Sequence, residues 1–347
     1  ISASHNEHND NGIKFFGPDG YKLSDEAEFE IESLISEGVD CVFPEHIGRA
    51  KRIDDGRYRY IERVKSSFPN QMRLDGLKVV IDCANGAGYR AAPEVLWELG
   101  AEVIPIGVSP DGRNINLNCG STSPRIAAET VVAHGADVAI CLDGDADRLL
   151  VIDEKGSPID GDQFLGMIGA RWFKEGKLAN ETLVSTVMSN MRLETFLNQE
   201  GITLVRTSVG DRYVVERMRL NGFNLGGEKS GHVVMMDYST TGDGLMAGLQ
   251  FLAEMIRKGE PASVVGRPFD LAPQRTENIT YSVEKNPLND PSVIKIILES
   301  EKKLSGLGRL LVRKSGTEKL IRVMVEAEDI SILDATMASI TSTIKGL

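Results

Sequence analysis

Short apolar runs alternate with helix-like stretches along almost the whole chain, and no other feature narrows its fold as far. LKVVIDCA (77–84) reads as a strand and leads through a Gly-rich turn into YRAAPEVLWELG (89–100), a helix, and AEVIPIG (101–107), a second strand. That is a βαβ unit. SPRIAAETVVAHG (123–135) adds a helix before the strands ADVAICL and RLLVIDEKG. ETLVSTVMSN, MRLETFLNQEG and ITLVRTSVG repeat the theme, followed by DRYVVERMRLNG and FNLGGEKSGHVVMMD. The last part changes to ITYSVE, a helix over Val293–Leu304, the strands RLLVRKSG and LIRVMVE, and a closing helix from Ile330. Such alternation predicts α/β domains with mixed or parallel sheets. At roughly 100–200 residues per domain, 347 residues make two or three. Breaks near Pro69–Asp75, Gly156–Asp162 and Gly266–Pro273 divide the chain into 1–70, 71–158, 159–267 and 268–347. Residues 1–65 supply only a loop, a hairpin (IKFFGPDGYKLS) and a helix (DEAEFEIESLISEG), a poor core by themselves. They are expected either to pack on the next domain or to be the tail of one, with the chain starting in mid-domain at Ile1.

The net charge of −12 speaks against non-specific binding of nucleic acid or an anionic membrane. An anionic ligand would have to meet basic residues gathered locally. Cys41, Cys83, Cys119 and Cys141 are scattered, with no C-x-x-C pair, which predicts a reduced, cytoplasmic setting. No apolar run reaches the roughly 18 residues of a membrane span, and the first residues do not read as a signal peptide.

Asp143, Asp145 and Asp147 follow the strand DVAICL, with Arg148 next. At i, i+2 and i+4 of extended backbone, three carboxylates share one side. Their repulsion calls for a divalent cation, and an all-oxygen site suits Mg²⁺. An EF-hand fails because Arg148 stands where the loop needs Gly and the flanks read as strands. A phosphate-accepting Asp143 loses ground if another side chain is the nucleophile. Ser4, beside His5 and with Lys14 ten residues on, is one candidate, although such residues also simply make turns. Gly86-Ala87-Gly88 fits G-x-G-x-x-A, but the following strand ends in Gly107 rather than an acid, so the turn reads as structural and NAD is rejected. GGEKSGH (226–232) offers Glu228, Ser230 and His232 to sugar hydroxyls; an ordinary hairpin is equally compatible. Arg313-Lys314-Ser315-Gly316-Thr317, with Arg322 on the next strand, has the groups of a phosphate cradle.

In this order and combination, SASHN, DGDADR, GEKSGH and RKSGTEKLIRV resemble the α-D-phosphohexomutase family over essentially the whole chain. The wording of S-A-S-H-N…N-G-I-K-F-F and T-S-V-G-D-R-Y-V (207–214) is that of its branch acting on glucosamine phosphates. The resemblance implies four domains: three of similar mixed-sheet α/β plan, the first truncated at its N-terminal side, and a smaller C-terminal α+β domain. It implies Ser4 as a phosphoserine and Mg²⁺ ligand beside Asp143, Asp145 and Asp147, with His5, Lys14 and Arg148 catalytic. Asp211, Arg212, Glu228, Ser230 and His232 would bind the sugar. Arg313, Ser315, Gly316, Thr317 and Arg322 would bind the non-reacting phosphate. The implied activity is a phosphosugar mutase converting glucosamine 6-phosphate through a glucosamine or glucose 1,6-bisphosphate, with closure of the last domain on substrate. A mutase for glucose or mannose phosphates, or a fragment that binds phosphosugar without turnover, are the alternatives. The expected partner is a phosphorylated hexosamine, with a homodimer as the candidate assembly. The chain departs from the family pattern at Glu7 and Lys319, where Pro is usual, and at Lys229, where the branch more often has Gln.

Overall fold

The computed structural model describes residues 1–38, 41–281, 286–314 and 319–347. The first stretch carries α1 (Asp25–Glu37) and α2 (Gly56–Ser67). The expected hairpin reduces to a single bridge, Phe16 to Lys22. Of the described residues before position 56, only Ala3 is buried. Three carboxylates, Asp25, Glu26 and Glu28, follow Ser24 in the first turn of α1, and the Ser24 hydroxyl caps the Ala27 N–H, an N-terminus of the usual kind.

The second unit is built from β1 (Lys78–Asp82), α3 (Ala91–Glu98), β2 (Glu102–Ile106), α4 (Arg125–His134), β3 (Val138–Leu142), β4 (Leu149–Asp153) and β5 (Pro158–Ile159). Its sheet runs β2-β1-β3-β4-β5; β2, β1 and β3 are parallel and the rest antiparallel. Ile140 and Leu142 of β3 pack toward one core, while Ala139 and Cys141 pack with Val131 of α4 on the other side. A strand covered on both faces is apolar throughout, which is why DVAICL reads as an unbroken run.

The third unit follows with α5 (Gly161–Lys174), β6 (Thr182–Thr186), α6 (Met191–Glu200), β7 (Thr203–Thr207), α7 (Asp211–Asn221), β8 (Leu225–Gly227), β9 (Val233–Met235), α8 (Gly244–Lys258) and the short α9 (Ala262–Val265). Its sheet order is β7-β6-β8-β9. The fourth unit has β10 (Gln274–Thr280), α10 (Pro291–Leu304), β11 (Gly308–Lys314), β12 (Leu320–Ala327) and α11 (Ile330–Lys345). Its antiparallel sheet, β10-β12-β11, packs Ile321, Val323 and Val325 against Leu333, Met337 and Ile340 of α11. The period of two therefore turns Arg322 to the opposite face.

Four helices, α2, α5, α8 and the short α9, are absent from the pattern reading above. Residues 162–172 of α5 and 244–255 of α8 are all buried, although Gln250, Glu254, Arg257 and Lys258 mark a polar edge of α8 at helical spacing. No helix among the described residues is long and apolar enough to cross a membrane.

Candidate active site

In open α/β sheets, ligand sites form beyond the carboxyl ends of strands where the strand order switches direction. Two such switch points face one cleft here. In the second unit the switch lies between β1 and β3. The Gly-rich turn follows β1, and the aspartate loop follows β3. In the third unit it lies between β6 and β8; Thr186 ends β6, and Met188 and Glu228 lie just past the ends of those strands. The cleft, about 510 Å³, is lined by these residues with Ser4, Lys14, Lys22, Asp147, Arg148, Asp211, Lys229, Ser230 and His232, among others. The two rims are joined directly. Arg148 and His232 form an antiparallel bridge, in which the Leu149 N–H donates to the Gly231 carbonyl at 3.0 Å.

The serine loop is docked by its backbone. The Ser4 carbonyl accepts from the Gly144 N–H at 3.0 Å and from Asn116 Nδ2 at 2.8 Å, and Asn116 Nδ2 also reaches the Asn6 carbonyl at 2.6 Å. Ser4 itself has φ +52°, a left-handed conformation that costs a non-Gly residue about 1–3 kcal/mol and clusters at functional sites. Behind it the packing is backbone on backbone. A Cβ on Gly144 would lie 2.5 Å from the Ser4 carbonyl oxygen, and one on Gly86 would lie 2.2 Å from the Gly144 carbonyl oxygen. The Ala87 N–H donates to that same Gly144 carbonyl at 2.8 Å. The G-x-G-x-x-A turn is thus a buttress under the aspartate loop. Nothing in the sequence singles out Asn116 for its part.

One oxygen from each of Asp143, Asp145 and Asp147 lies within 4.8 Å of the others. Asp143 is fully buried, and Asp143 Oδ2, Asp145 Oδ1 and Asp147 Oδ1 have no hydrogen-bond partner. Burial, with the charges of Asp147 and Asp145 behind it, pushes the Asp143 carboxyl up to about 7. Burial works against ionisation of Asp145 too, but the Lys14 hydrogen bond and charge outweigh it and hold its pKa down. The Lys14 ammonium sits on Asp145 and lies 3.5 Å from Asp147. It occupies a cation's place, and the unpartnered oxygens fit a hard divalent ion. Ser4 lines the same cleft as Asp147.

Around this cluster the proton-carrying groups differ in state. Burial lowers the His5 pKa, helped by the Arg148 charge and opposed by Asp147 and Asp145, so His5 is biased to the neutral form. The Lys14 pKa is raised, burial being outweighed by Asp145 and Asp147. His232 is buried with Nε2 3.7 Å from Asp147 and 3.6 Å from Asp211; burial outweighs both carboxylates and lowers its pKa.

The expected sugar-binding residues separate into two groups. Asp211, Glu228, Ser230 and His232 line the cleft. Asp211 is bonded to Lys22, a residue the sequence reading does not single out, and Glu228 Oε1 accepts from the Gly210 N–H at 3.0 Å. Arg212 is the exception. Its guanidinium pairs with Asp25 and Glu28 of α1, and it is not among the residues lining the cleft. Its charge is used to hold the first unit against the third.

At the far end, Arg313 and Arg322 stand directly opposite each other on β11 and β12. Like charges so placed are destabilising without a counter-ion. Burial and the Arg322 charge lower the Arg313 pKa. Arg313 Nε has no partner, while Arg322 Nε donates to Asn278 Oδ1 at 2.9 Å. Ser315, Gly316 and Thr317 lie outside the described residues. None of the residues lining the cleft belongs to the fourth unit.

Four consecutive family models match the chain: phosphoglucomutase/phosphomannomutase alpha/beta/alpha domain I over residues 1–40, domain II over 58–156, domain III over 160–268, and the C-terminal domain over 277–342. The chain is 64% identical over 345 residues to the phosphoglucosamine mutase of Ruegeria sp. (strain TM1040), covering 99% of this chain and 77% of that protein. To the phosphoglucosamine mutase of Dinoroseobacter shibae it is 60% identical, with the same coverage. Among solved structures, a phosphoglucomutase/phosphomannomutase family protein from Burkholderia thailandensis superposes with TM-score 0.80 at 20% identity, over 99% of this chain and 75% of that one. An N-acetylphosphoglucosamine mutase of Aspergillus fumigatus, solved with GlcNAc-6P and magnesium, gives 0.74 at 19% identity, over 99% and 88%. These two carry the fold.

Proposed function

This chain belongs to the phosphoglucomutase/phosphomannomutase family, and from that membership we propose that it interconverts glucosamine 6-phosphate and glucosamine 1-phosphate through a phosphoserine at Ser4. The glucosamine assignment is supported by the relatives that are 60–64% identical, which are phosphoglucosamine mutases. The observation that carries the chemistry is Ser4, left-handed and docked through its carbonyl on the loop of three aspartates with unpartnered oxygens, of which Asp147 shares its cleft.

Asp143, Asp145 and Asp147, with Ser4, would hold Mg²⁺, which when bound neutralises charge spreading over the transferring phosphoryl group. The chain's own residues do the rest. The phosphoryl group leaves Ser4 Oγ and forms a new P–O bond to the sugar 1-hydroxyl, whose proton must go to a base. His5, biased to the neutral form, is suited to take it, and Lys14, biased to the charged form, is suited to donate to the Ser4 oxygen. Arg148 lines the cleft from the same loop and adds positive charge. The resulting glucosamine 1,6-bisphosphate reorients and returns its 6-phosphoryl group to Ser4. Asp211, Glu228, Ser230 and His232 would hold the sugar; Arg313, Ser315, Gly316, Thr317 and Arg322 would hold the far phosphate. The exposed thiol of Cys41 and the buried thiols of Cys83, Cys119 and Cys141 are all free, which suits a reducing cytoplasm.

Peptide mass spectrometry for phosphate on Ser4, with a conversion assay on glucosamine 6-phosphate, tests the reading. An acid-stable Ser4 phosphate and turnover are expected. An acid-labile acyl phosphate on Asp143 would overturn it.

A further inference from the structure

A lysine lining a phosphosugar cleft is expected to aim at the ligand. Lys229 lines the cleft, yet its ammonium is already engaged elsewhere. It donates to Gln274 Oε1 at 2.6 Å and lies 3.6 Å from Asp160 Oδ2. These partners come from the two crossings into and out of the third unit. Asp160 caps the N-terminus of α5, just past the end of β5, and Gln274 is the first residue of β10.

Other contacts draw the same two crossings together. Gln274 Nε2 donates to the carbonyl of Met188, which also lines the cleft, at 3.0 Å. The Asn190 N–H donates to Asp162 Oδ2 at 2.8 Å, while its side chain clasps Ala272, donating to the carbonyl at 3.0 Å and accepting from the N–H at 3.1 Å. The backbone of Lys229 is pressed onto the first crossing as well, since a Cβ on Gly161 would lie 2.3 Å from the Lys229 carbonyl oxygen. Glu228 and Ser230, the residues expected to hold the sugar, flank Lys229 in a tight turn closed by the Glu228 N–H to the His232 carbonyl at 2.9 Å.

We propose that Lys229 is a positioning residue that ties the sugar-binding turn to both interdomain crossings, so that the pose of the fourth unit and the placement of Glu228 and Ser230 are set together. The proposal rests on the reading of the cleft as a phosphosugar site. A tether of this kind acts on ligand binding more than on the chemical step, because the groups around Ser4 belong to the other rim.

The test uses the full chain with Mg²⁺, comparing Lys229→Met and Lys229→Gln by steady-state kinetics on glucosamine 6-phosphate and by hydrogen–deuterium exchange. Lys229→Met should raise KM about tenfold with kcat changed less than about threefold, the pattern of lost binding rather than lost chemistry. Exchange should rise together at residues 160–162 and 272–274, although the two segments are far apart in sequence. Lys229→Gln, which keeps a hydrogen-bond donor, should recover most of both effects. Equal losses in both variants with unchanged exchange at the crossings would mean that Lys229 contacts substrate itself, and would overturn the proposal; so would an unchanged KM. Absence of turnover by the unmutated protein on any hexose phosphate would instead remove the phosphosugar reading, and the exchange measurement would still decide the tether.

Discussion

The two ends of the proposed reaction path each crowd like charges, but in opposite ways. Near Ser4, three carboxylates meet in a loop pressed between the backbones of Ser4 and Gly86, and Asp143 is fully buried. On the fourth unit, Arg313 and Arg322 face each other across two strands at a partly exposed surface. Each crowd would be relieved by a ligand of the other sign. The difference is in rigidity. The carboxylates follow a strand whose Ile140 and Leu142 belong to the largest hydrophobic cluster among the described residues. The guanidiniums sit on a small separate core, where a ligand's far phosphate can be gripped and released. Chemistry is therefore expected to depend on the first end and affinity on the second.

Ser4→Ala should break the comparison most severely. Turnover should fall by at least about 10³-fold, since a nucleophile has no substitute, while the melting temperature stays near that of the parent. Detectable phosphorylation elsewhere with retained turnover would refute the assignment. The next contrast pairs Asp145→Asn with Arg322→Met. The first should lower kcat by about 10²–10³-fold, the range for loss of preorganised charge stabilisation. The second should raise KM by roughly 10–100-fold with a smaller change in kcat, as expected for one charged hydrogen bond. Steady-state constants for both variants check this, and equal partition of the two losses would erase the distinction.

A smaller effect concerns stability. Asp143 titrates at about 7 in the fold, against about 3.9 in an unfolded chain. Between those values the folded state binds the extra proton, so its contribution lowers stability as pH rises from about 4 to 7, with the penalty complete above that. Asp145, held low by Lys14, adds no slope in that window. The lowered His5 and His232 act oppositely, losing stability as pH falls below about 6.5, so the readout is a difference. In EDTA, Asp143→Asn should melt higher than the parent at pH 7.5, and the gap should shrink to roughly a third at pH 5 and close near pH 4. A gap that does not change with pH would sink the account.

Much of this was legible because it is local. The D-x-D-x-D spacing follows an apolar strand, and both glycine-bearing turns sit where strands end. What could not be read depends on distant partners. Asn116 reaches Ser4 and Asn6 across more than a hundred residues, and Lys22 pairs with Asp211 across the cleft. Arg212 follows Asp211 in a segment expected to meet the sugar, yet its helix turns it toward α1.

The segment that carries Ser4 buries almost nothing of its own: Phe29, Ile35 and Phe43 are each more than 70% exposed. Beyond the bonds that seat Ser4 and Asn6 on Gly144 and Asn116, it is fastened to the other units by ion pairs, Lys14 to Asp145, Lys22 to Asp211, and Arg212 to Asp25 and Glu28. Added electrolyte shortens the reach of such contacts, from about 10 Å at 0.1 M to about 3 Å at 1 M. Sodium chloride should therefore depress turnover at concentrations where the cores of the other three units are unaffected. The strap around Ser4, unlike the backbone seat that Gly144 and Asn116 give the residue itself, is thus mounted on a spring whose stiffness the surrounding ionic strength sets.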